Sequence, residues 1–158
     1  MKRKVTNPYL NLAGHLCFGC SPKNPIGLSL NFWYDEENQM VETQWLPNDF
    51  YQGYVGVLHG GIQSTLMDEV ASWCVYILAE TAGVTSKMEI AYRKPVQISK
   101  GKITVTGKLV TVEKRLATIH TQLFDANEVL CSEGVIQYFT YPQAKAMKEL
   151  YYPGPSAF

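Results

Sequence analysis

A single helical segment, from about Gly60 to Ala79, constrains the fold of this chain more than any other feature. At about 100 degrees per residue, its large apolar side chains fall on one broad face: Ile62, Leu66, Val70, Trp73, Cys74 and Ile77. The other side carries small residues where an ordinary solvent face would carry Lys, Glu and Arg: Gly61, Ser64, Thr65, Asp68, Ser72 and Ala79. We therefore expect the apolar face of the helix to pack against the core, and the small-residue face to pack closely against another element or a ligand.

The segments before and after this helix alternate apolar and polar residues, which is the pattern of half-buried strands. The predicted strands are 28–34 and 40–46 before the helix, and 85–93, 102–112, 116–124 and 129–141 after it. Gly107 is a candidate β-bulge. Short turns between the strands favour antiparallel pairing, and only one long helix is available to cover the sheet. We therefore expect an α+β fold in which an antiparallel sheet of five to six strands wraps around one central helix.

The length of 158 residues fits one domain with short appendages. Residues 1–27 are rich in proline and glycine and are predicted to be irregular, residues 28–141 to form the domain, and residues 142–158 to form a short helix and a tail. No apolar run reaches the roughly 20 residues of a membrane span. The N-terminal segment lacks the continuous apolar core of a secretory signal, so we expect a cytoplasmic protein.

Charged residues balance in number but are unevenly distributed along the chain. The totals are 14 Lys and Arg against 14 Asp and Glu, so the net charge favours neither nucleic acid nor a membrane as a partner. No Lys or Arg lies between Lys23 and Lys87, whereas the segment from Lys87 to Arg115 is rich in them. This basic segment fits a phosphate-bearing ligand, and it equally fits solvated strand edges that lysine protects.

Cysteine usage points to a reducing compartment, because four cysteines are too few and too unevenly spaced for a disulfide scaffold. Cys17 and Cys20 form a lone CxxC, with His15 two residues before it. A structural zinc site usually needs four ligands, and a redox pair usually opens a helix, so we expect no metal site while zinc and redox chemistry stay open as alternatives. Cys74 and Cys131 lie in apolar segments and are predicted to be core residues.

The predicted helix begins with the sequence His59-Gly60-Gly61. The free N–H groups of its first turn and the positive end of its dipole therefore face whatever lies before it. Such a terminus can hold a developing oxyanion, and glycine allows close approach. The alternative explanation is a tight junction between a loop and a helix.

Asp68 lies a little over two turns into the predicted helix. Hydroxyl side chains flank it on the same face: Ser64, Thr65 and Ser72. Asp68 is a candidate nucleophile or general base, or alternatively a structural acid that those hydroxyls or a distant Lys satisfy. Glu69 lies about 100 degrees further around the helix and is expected to be solvated or paired with Arg93 or Lys94.

Several catalytic motifs are absent from the chain. The sequence has no G-x-S-x-G elbow, no HExxH, no phosphate loop and no G-x-G-x-x-G. It therefore disfavours a serine hydrolase, a zinc protease and a nucleotide-dependent enzyme.

Three segments together resemble one protein family. VLHGGIQSTLMDEVASW, at 57–73, closely resembles the helix-opening motif of hotdog-fold acyl-CoA thioesterases of the phenylacetate-pathway type. CFGCSPKNPIGLSLNF, at 17–32, resembles the N-terminal signature of one branch of the family, and TSKMEIAYRKPV, at 85–96, resembles the strand after the helix. The resemblance implies a helix wrapped by an antiparallel sheet, two protomers that join their sheets edge to edge, and active sites at the dimer interface.

The resemblance also implies hydrolysis of an acyl-CoA thioester and a role for individual residues in the helix. Asp68, nine residues after His59, corresponds to the nucleophile or general base. A backbone N–H at Gly60 or Gly61 corresponds to the group that polarises the thioester carbonyl. His59 is expected to assist or to orient the reacting groups.

Outside the helix, Thr85 or the adjacent Ser86 corresponds to a polar residue that positions the attacking water. Some relatives have an Asn where this chain has Gly53, so the adjacent Gln52 is the expected substitute. Basic residues that could hold the phosphates of coenzyme A are Arg93, Lys94, Lys114 and Arg115. Aromatic residues that could line the acyl pocket, or simply belong to the core, are Tyr51, Tyr54, Trp73 and Tyr76.

The resemblance implies no cofactor beyond the coenzyme A of the substrate, and a homodimer or a dimer of dimers as the assembly. An alternative function on the same fold is a non-catalytic module that binds acyl-CoA as a sensor. Dehydratases also share the fold, but we expect them to pair a His with the acid in a different motif. The sequence does not specify the acyl group.

Overall fold

The computed structural model describes residues 1–158, which form one long helix and one antiparallel sheet. The helices are α1, Gly60–Leu78, and the short α2, Gln143–Glu149. The strands are β1 Lys2–Lys4, β2 Phe32–Asp35, β3 Met40–Trp45, β4 Gly83–Tyr92, β5 Ile103–Glu113, β6 Leu116–Phe124 and β7 Leu130–Thr140. They lie in the order β1-β2-β3-β5-β6-β7-β4, so β4 is an edge strand. Neither helix combines the length and the hydropathy that a membrane span requires.

The predicted fold is confirmed, with more strands than expected. The sheet has seven strands because β1, in the segment predicted to be irregular, pairs with β2. The strand predicted over 28–34 begins only at Phe32. The residues before Phe32 bond to the loop around the CxxC instead, since Leu28 N donates to Phe18 O at 2.7 Å and Leu30 N to Gly19 O at 2.9 Å.

The apolar face of α1 packs against the concave side of the sheet as the periodicity predicts. Leu66, Val70 and Cys74 are fully buried, and Trp73 stacks on Phe32 with ring centroids 4.4 Å apart. Burial of these side chains is the main favourable term that holds the helix to the sheet. The fold therefore fixes the opposite side of α1, with Asp68, toward β4 and β7.

Gly107 is not a β-bulge, so that prediction is wrong. It pairs regularly with both neighbouring strands, and the irregularity in β5 lies between Leu109 and Thr111. A Cβ at position 107 would lie 2.8 Å from Cys74 Sγ and 2.8 Å from Val70 Cγ1. Glycine is needed here because α1 approaches β5 too closely for any side chain.

A β-bulge does occur in the edge strand β4, between Thr85 and Lys87. Ser86 is the extra residue, and its hydroxyl donates to the carbonyl of Gln137 at 3.1 Å. Ser86 is therefore engaged with β7, while a bulge at this point changes the direction of the neighbouring side chains.

Candidate active site

The carboxylate of Asp68 is held by hydroxyl groups from two strands. Thr85 Oγ1 on β4 donates to Asp68 Oδ1 at 2.9 Å, and the hydroxyl of Tyr138 on β7 lies 2.7 Å from the same oxygen. No lysine or arginine pairs with Asp68, and its Oδ2 accepts no hydrogen bond from the protein. One carboxylate oxygen is thus fixed, and the other is available to a substrate or water.

The hydroxyls of α1 do not supply these hydrogen bonds, contrary to the structural alternative that the sequence left open. Ser64 Oγ donates to Gly60 O at 3.0 Å, and Thr65 Oγ1 donates to Gly61 O at 2.9 Å. Both therefore bond to the backbone one turn earlier, as is common for hydroxyl residues within helices.

Tyr138 is a candidate site residue that the sequence did not reveal. Its alternation with Ile136 and Thr140 places it on the buried face of β7, but nothing in that pattern indicates its proximity to Asp68. Burial and the negative charge of Asp68 raise the pKa of Tyr138 above its usual value. The phenol therefore stays protonated and acts as a hydrogen-bond donor to the carboxylate.

The start of α1 offers one free backbone N–H, at Gly60. His59 is the N-cap, and its Nδ1 accepts a hydrogen bond from Gly61 N at 2.8 Å. This contact requires the proton of a neutral His59 ring to be on Nε2. Because Gly61 N–H is already used, Gly60 is the better of the two predicted groups for polarising a carbonyl.

Tyr92, at the end of β4, holds the helix start in place. Its hydroxyl donates to Gly60 O at 3.0 Å and lies 2.5 Å from Ser64 Oγ. Gln52 is close to the same point, where its Oε1 accepts from Gly56 N at 2.9 Å and its amide N–H groups have no partner in the protein. Residues from the loop, the helix start and the end of β4 line one cleft here, among them Gln52, Tyr54, His59, Gly60, Tyr92, Arg93 and Lys94.

The four basic residues proposed for coenzyme A lie in two separate places. Arg93 bonds to Glu133 through its Nε at 2.7 Å and holds the pKa of that carboxyl below its usual value, whereas Lys94 has no carboxylate partner. Lys114 and Arg115 lie in the β5–β6 turn, where the Arg115 guanidinium is 6.0 Å from the ring centre of Phe139.

Because Phe139 pairs with Val84 at the start of β4, these two groups lie near opposite ends of that strand. Val84 and Tyr92 are eight residues apart, or about 26 Å along an extended strand. The phosphates of a single coenzyme A molecule therefore do not contact both groups within one chain.

Asp68 and Gly60 are also separated within one chain. They lie eight residues apart on α1, which is about 12 Å along the helix axis. Asp68 lies beside Thr85 near the start of β4, and Gly60 lies beside Tyr92 at its end. One thioester carbonyl therefore does not reach both groups of the same chain.

Glu69 is neither solvated nor paired with Arg93 or Lys94, so that prediction is wrong. Its Oε1 accepts from Trp73 Nε1 at 3.2 Å, and Cys17 Sγ lies 3.5 and 3.6 Å from its two carboxylate oxygens. The 100-degree step from Asp68 turns the side chain of Glu69 toward the N-terminal loop instead of toward β4. Burial raises the pKa of Glu69 to about 7, and the charge of Cys17 adds to this effect.

Comparisons with known proteins relate the chain to thioesterases. Residues 55–132 match the thioesterase superfamily. The presumed esterase SSO1253 of Saccharolobus solfataricus is 28% identical over 96 residues, which span 60% of this chain and 63% of that protein. The match thus covers less than two thirds of the length of this curated relative.

Solved structures share the fold. The thioesterase superfamily protein RHA08564 superposes with a TM-score of 0.70 at 23% identity, over 78% of this chain and 59% of the other. The protein smu.793 of Streptococcus mutans, solved with acetyl CoA, gives a TM-score of 0.61 at 20% identity, over 66% of this chain and 83% of the other. These matches show the hotdog fold, and none of them distinguishes the phenylacetate-pathway type.

Proposed function

We propose, on the premise that residues 55–132 belong to the thioesterase superfamily, that this chain hydrolyses acyl-CoA thioesters. The observation that carries the proposal is the Asp68 carboxylate, which has one oxygen fixed by Thr85 and Tyr138 and the other free of protein donors. The acetyl CoA bound to the S. mutans protein of the same fold supports a coenzyme A ester as the ligand.

In the proposed reaction, Asp68 acts on the thioester carbonyl carbon in one of two ways. Its free oxygen attacks the carbon to give an anhydride that water then cleaves, or it removes a proton from an attacking water. In both routes the C–S bond breaks, coenzyme A leaves as the thiol, and the acyl group leaves as the acid. The negative charge that develops on the carbonyl oxygen is stabilised by the N–H of Gly60 and the helix dipole.

The separation of Asp68 and Gly60 supports a site shared between two protomers. Antiparallel pairing of two β4 edges about a twofold axis brings the start of one β4 next to the end of the other. Asp68 of one protomer then approaches Gly60 of the other, which a single chain does not allow. We therefore propose a homodimer as the smallest active unit.

The same pairing supports a shared site for the coenzyme A phosphates. It brings the β5–β6 turn of one protomer, with Lys114 and Arg115, toward the cleft that contains Arg93 and Lys94 of the other. Lys94 is the first candidate for a phosphate contact, because its ammonium has no carboxylate partner, whereas Arg93 is bonded to Glu133.

The test is release of free thiol from short, medium, long and aryl acyl-CoAs by the wild type and by Asp68→Asn. We expect the variant to keep the wild-type oligomeric state and to lose kcat by at least about 100-fold, since it removes the reacting group. Asp49→Asn, in the exposed turn before the helix, is the matched control and should be unaffected.

Retained turnover in Asp68→Asn would refute the role of this residue. An acyl-CoA that binds the wild type tightly and is recovered intact after overnight incubation would instead favour the non-catalytic sensor. Activity confined to one group of acyl-CoAs would identify the class of acyl group that the enzyme accepts.

A further inference from the structure

Two cysteines and a carboxylate form a compact cluster beside the Asp68 cleft. The sulfurs of Cys17 and Cys20 and a carboxylate oxygen of Glu69 all lie within 4.8 Å of one another. His15 lies next to them, with its Nε2 4.0 Å from Cys20 Sγ. Side chains of zinc-binding types thus converge from the N-terminal loop and from α1, two parts of the chain that are far apart in sequence.

The distances in this cluster are close to those of a tetrahedral metal site. With Zn–S bonds of about 2.3 Å and Zn–N or Zn–O bonds of about 2.0–2.1 Å, neighbouring ligand atoms are about 3.5–3.8 Å apart. Cys17 Sγ is 3.5 Å from Glu69 Oε1, and Cys20 Sγ is 4.0 Å from His15 Nε2. These two pairs are therefore within about half an ångström of the separations around one ion, and the His15 side chain must also rotate toward Cys17 and Glu69 to complete the set.

The cluster also lacks a positive charge of its own. No lysine or arginine forms an ion pair with Glu69, and the only groups that bond to its carboxylate are Trp73 and the cysteines. All four cysteines of the chain are free. A partly buried carboxylate without a cation is unfavourable, and a divalent metal ion supplies the missing positive charge.

The loop that carries the cysteines is shaped to present sulfur to α1. Cys17 Sγ and Cys20 Sγ both lie within 4.8 Å of a Glu69 carboxylate oxygen, so the loop directs both sulfurs at the same point on the helix. A Cβ at Gly19 would lie 2.4 Å from Glu69 Cδ, so the loop reaches the carboxylate only because this position has no side chain.

Contacts outside the loop fix the His15 ring and the loop backbone. The ring of His15 stacks on Tyr9 with centroids 5.4 Å apart, and Asn7 Nδ2 donates to Cys20 O at 3.2 Å. Ser21 Oγ donates to His15 O at 3.0 Å. The segment is thus held against α1 from its outer side as well as through Glu69.

We propose that Cys17, Cys20, Glu69 and His15 bind a zinc ion. Two thiolates with one imidazole and one carboxylate suit Zn²⁺ better than the hard cations Mg²⁺ and Ca²⁺. The ion ties the N-terminal loop to α1 at the residue next to Asp68, so it fixes one wall of the cleft that contains the carboxylate. This proposal does not depend on thioester hydrolysis.

Cobalt substitution of the full chain tests the proposal. After purification under reducing conditions and removal of metals with a chelator, we expect the wild type to bind one Co²⁺ per chain. The complex should show a thiolate-to-cobalt charge-transfer band and the intense visible bands of tetrahedral Co²⁺, and an equimolar amount of Zn²⁺ should abolish both. Cys131→Ser, which changes a buried cysteine in β7, is the control and should keep the spectrum.

The variants assign the ligands. Cys17→Ser and Cys20→Ser should each remove most of the charge-transfer band, whereas Glu69→Gln and His15→Ala should shift the visible bands and weaken Co²⁺ binding by about tenfold or more. A reduced, folded wild-type protein that shows no charge-transfer band with Co²⁺ would overturn the proposal without any variant. A spectrum that survives in both cysteine variants would overturn it as well, and one unchanged in His15→Ala would contradict the assignment of His15.

The result is independent of the proposed activity. Asp68→Asn should keep the full cobalt spectrum, because Asp68 is not a ligand. If the wild type binds cobalt as described and hydrolyses no acyl-CoA, only the proposed function fails.

Discussion

At the residue scale, the asymmetry of Asp68 decides what this side chain can do. Two hydroxyls bond to Oδ1 and none bonds to Oδ2, so the carboxylate is oriented without being neutralised. A salt bridge would have oriented it too, but the positive charge would have lowered its nucleophilicity and basicity. Tyr138 thus helps to position the reacting group and is not itself proposed to touch the substrate.

Tyr138→Phe tests this positioning role. The substitution keeps the ring in the core and removes the hydroxyl that lies 2.7 Å from Asp68 Oδ1. We expect kcat to fall by about 10- to 100-fold with little change in KM, because the orientation of the carboxylate matters for the reaction more than for binding. Steady-state thiol release measures both constants.

The control for this prediction is Tyr34→Phe, which changes a buried tyrosine on β2. It should leave kcat unchanged. Equal losses in the two variants would mean that Tyr138 acts only through stability, and an unchanged kcat in Tyr138→Phe would contradict the positioning role.

His59 combines two roles that substitution can separate. Because its Nδ1 caps Gly61, we expect His59→Ala to lower the free energy of unfolding by about 0.5–2 kcal/mol. Asparagine is among the best N-cap residues, so His59→Asn should keep most of the wild-type stability. Thermal unfolding of both variants measures the cap.

Thiol release then tests whether His59 also takes part in the reaction. If thiol release falls in His59→Asn while the melting temperature is kept, the imidazole acts in the reaction beyond the cap. Equal stability in the alanine and wild-type proteins would show that the cap contributes nothing.

Residue roles were only partly predictable from the sequence. Asp68 and Gly60 could be located because the spacing of His59 to Asp68 resembles a family motif. Glu69 and Tyr138 could not, because their partners come from distant segments that only tertiary packing brings together. Periodicity gives the face of a helix or strand on which a residue lies, and it does not give what that face contacts.

At the element scale, the turn between β6 and β7 illustrates a local motif that the sequence does specify. The DANE turn at 125–128 joins the strands predicted over 116–124 and 129–141, and Asp125 organises it. Its Oδ1 accepts from the backbone N–H groups of Asn127 and Val129 at 2.9 and 3.0 Å, and its Oδ2 accepts from Lys100 Nζ at 3.0 Å. Lys100 and these N–H groups lower the pKa of Asp125 from its ordinary value of 3.8.

This lowered pKa predicts a pH dependence of stability. A group whose pKa is lower in the folded state stabilises the fold fully above its unfolded pKa and loses that contribution as the pH falls through the folded pKa. Asp125→Asn should therefore lower the free energy of unfolding by about 1–3 kcal/mol at pH 7. The difference from the wild type should shrink as the pH falls below about 4.

Urea unfolding from pH 7 down to pH 3 measures this difference. Glu128→Gln, in the same turn, changes an exposed acid and should leave the curve unaltered. A difference between Asp125→Asn and the wild type that is constant with pH would assign the loss to the changed hydrogen bonds and not to the charge of Asp125.

At the scale of the whole molecule, hydrophobic alternation predicted the individual strands better than their arrangement. The wrapped sheet follows from one helix having to cover every strand. The three-residue β1 was missed because Lys2, Arg3 and Lys4 show no alternation and become a strand only by pairing with β2. The position of β4 at the far edge, beside β7, is a long-range pairing that no local pattern encodes.

Because β4 is an edge strand, two chains can pair their β4 strands and share a site. Variants at Gly60 prepare the test of this shared site. Gly60→Pro removes the N–H at the first helical position, where proline is well tolerated, and His59 has the extended conformation, ψ 135, that a following proline requires. Gly60→Ala keeps the N–H and is the control, since a Cβ there makes only ordinary contact with Tyr92, at 3.5 Å. We expect the proline variant alone to be inactive and the alanine variant to retain activity.

Mixing two inactive variants then distinguishes a shared site from a site within one chain. In a mixed dimer of Gly60→Pro and Asp68→Asn chains, a shared site combines the intact Gly60 of one chain with the intact Asp68 of the other. Random reassociation makes half of the dimers mixed, with one complete site each, so roughly a quarter of the wild-type thiol release should return. If each site were built within one chain, both chains would carry a defect and no activity would return, because mixing cannot bring an intact Gly60 and an intact Asp68 into the same chain.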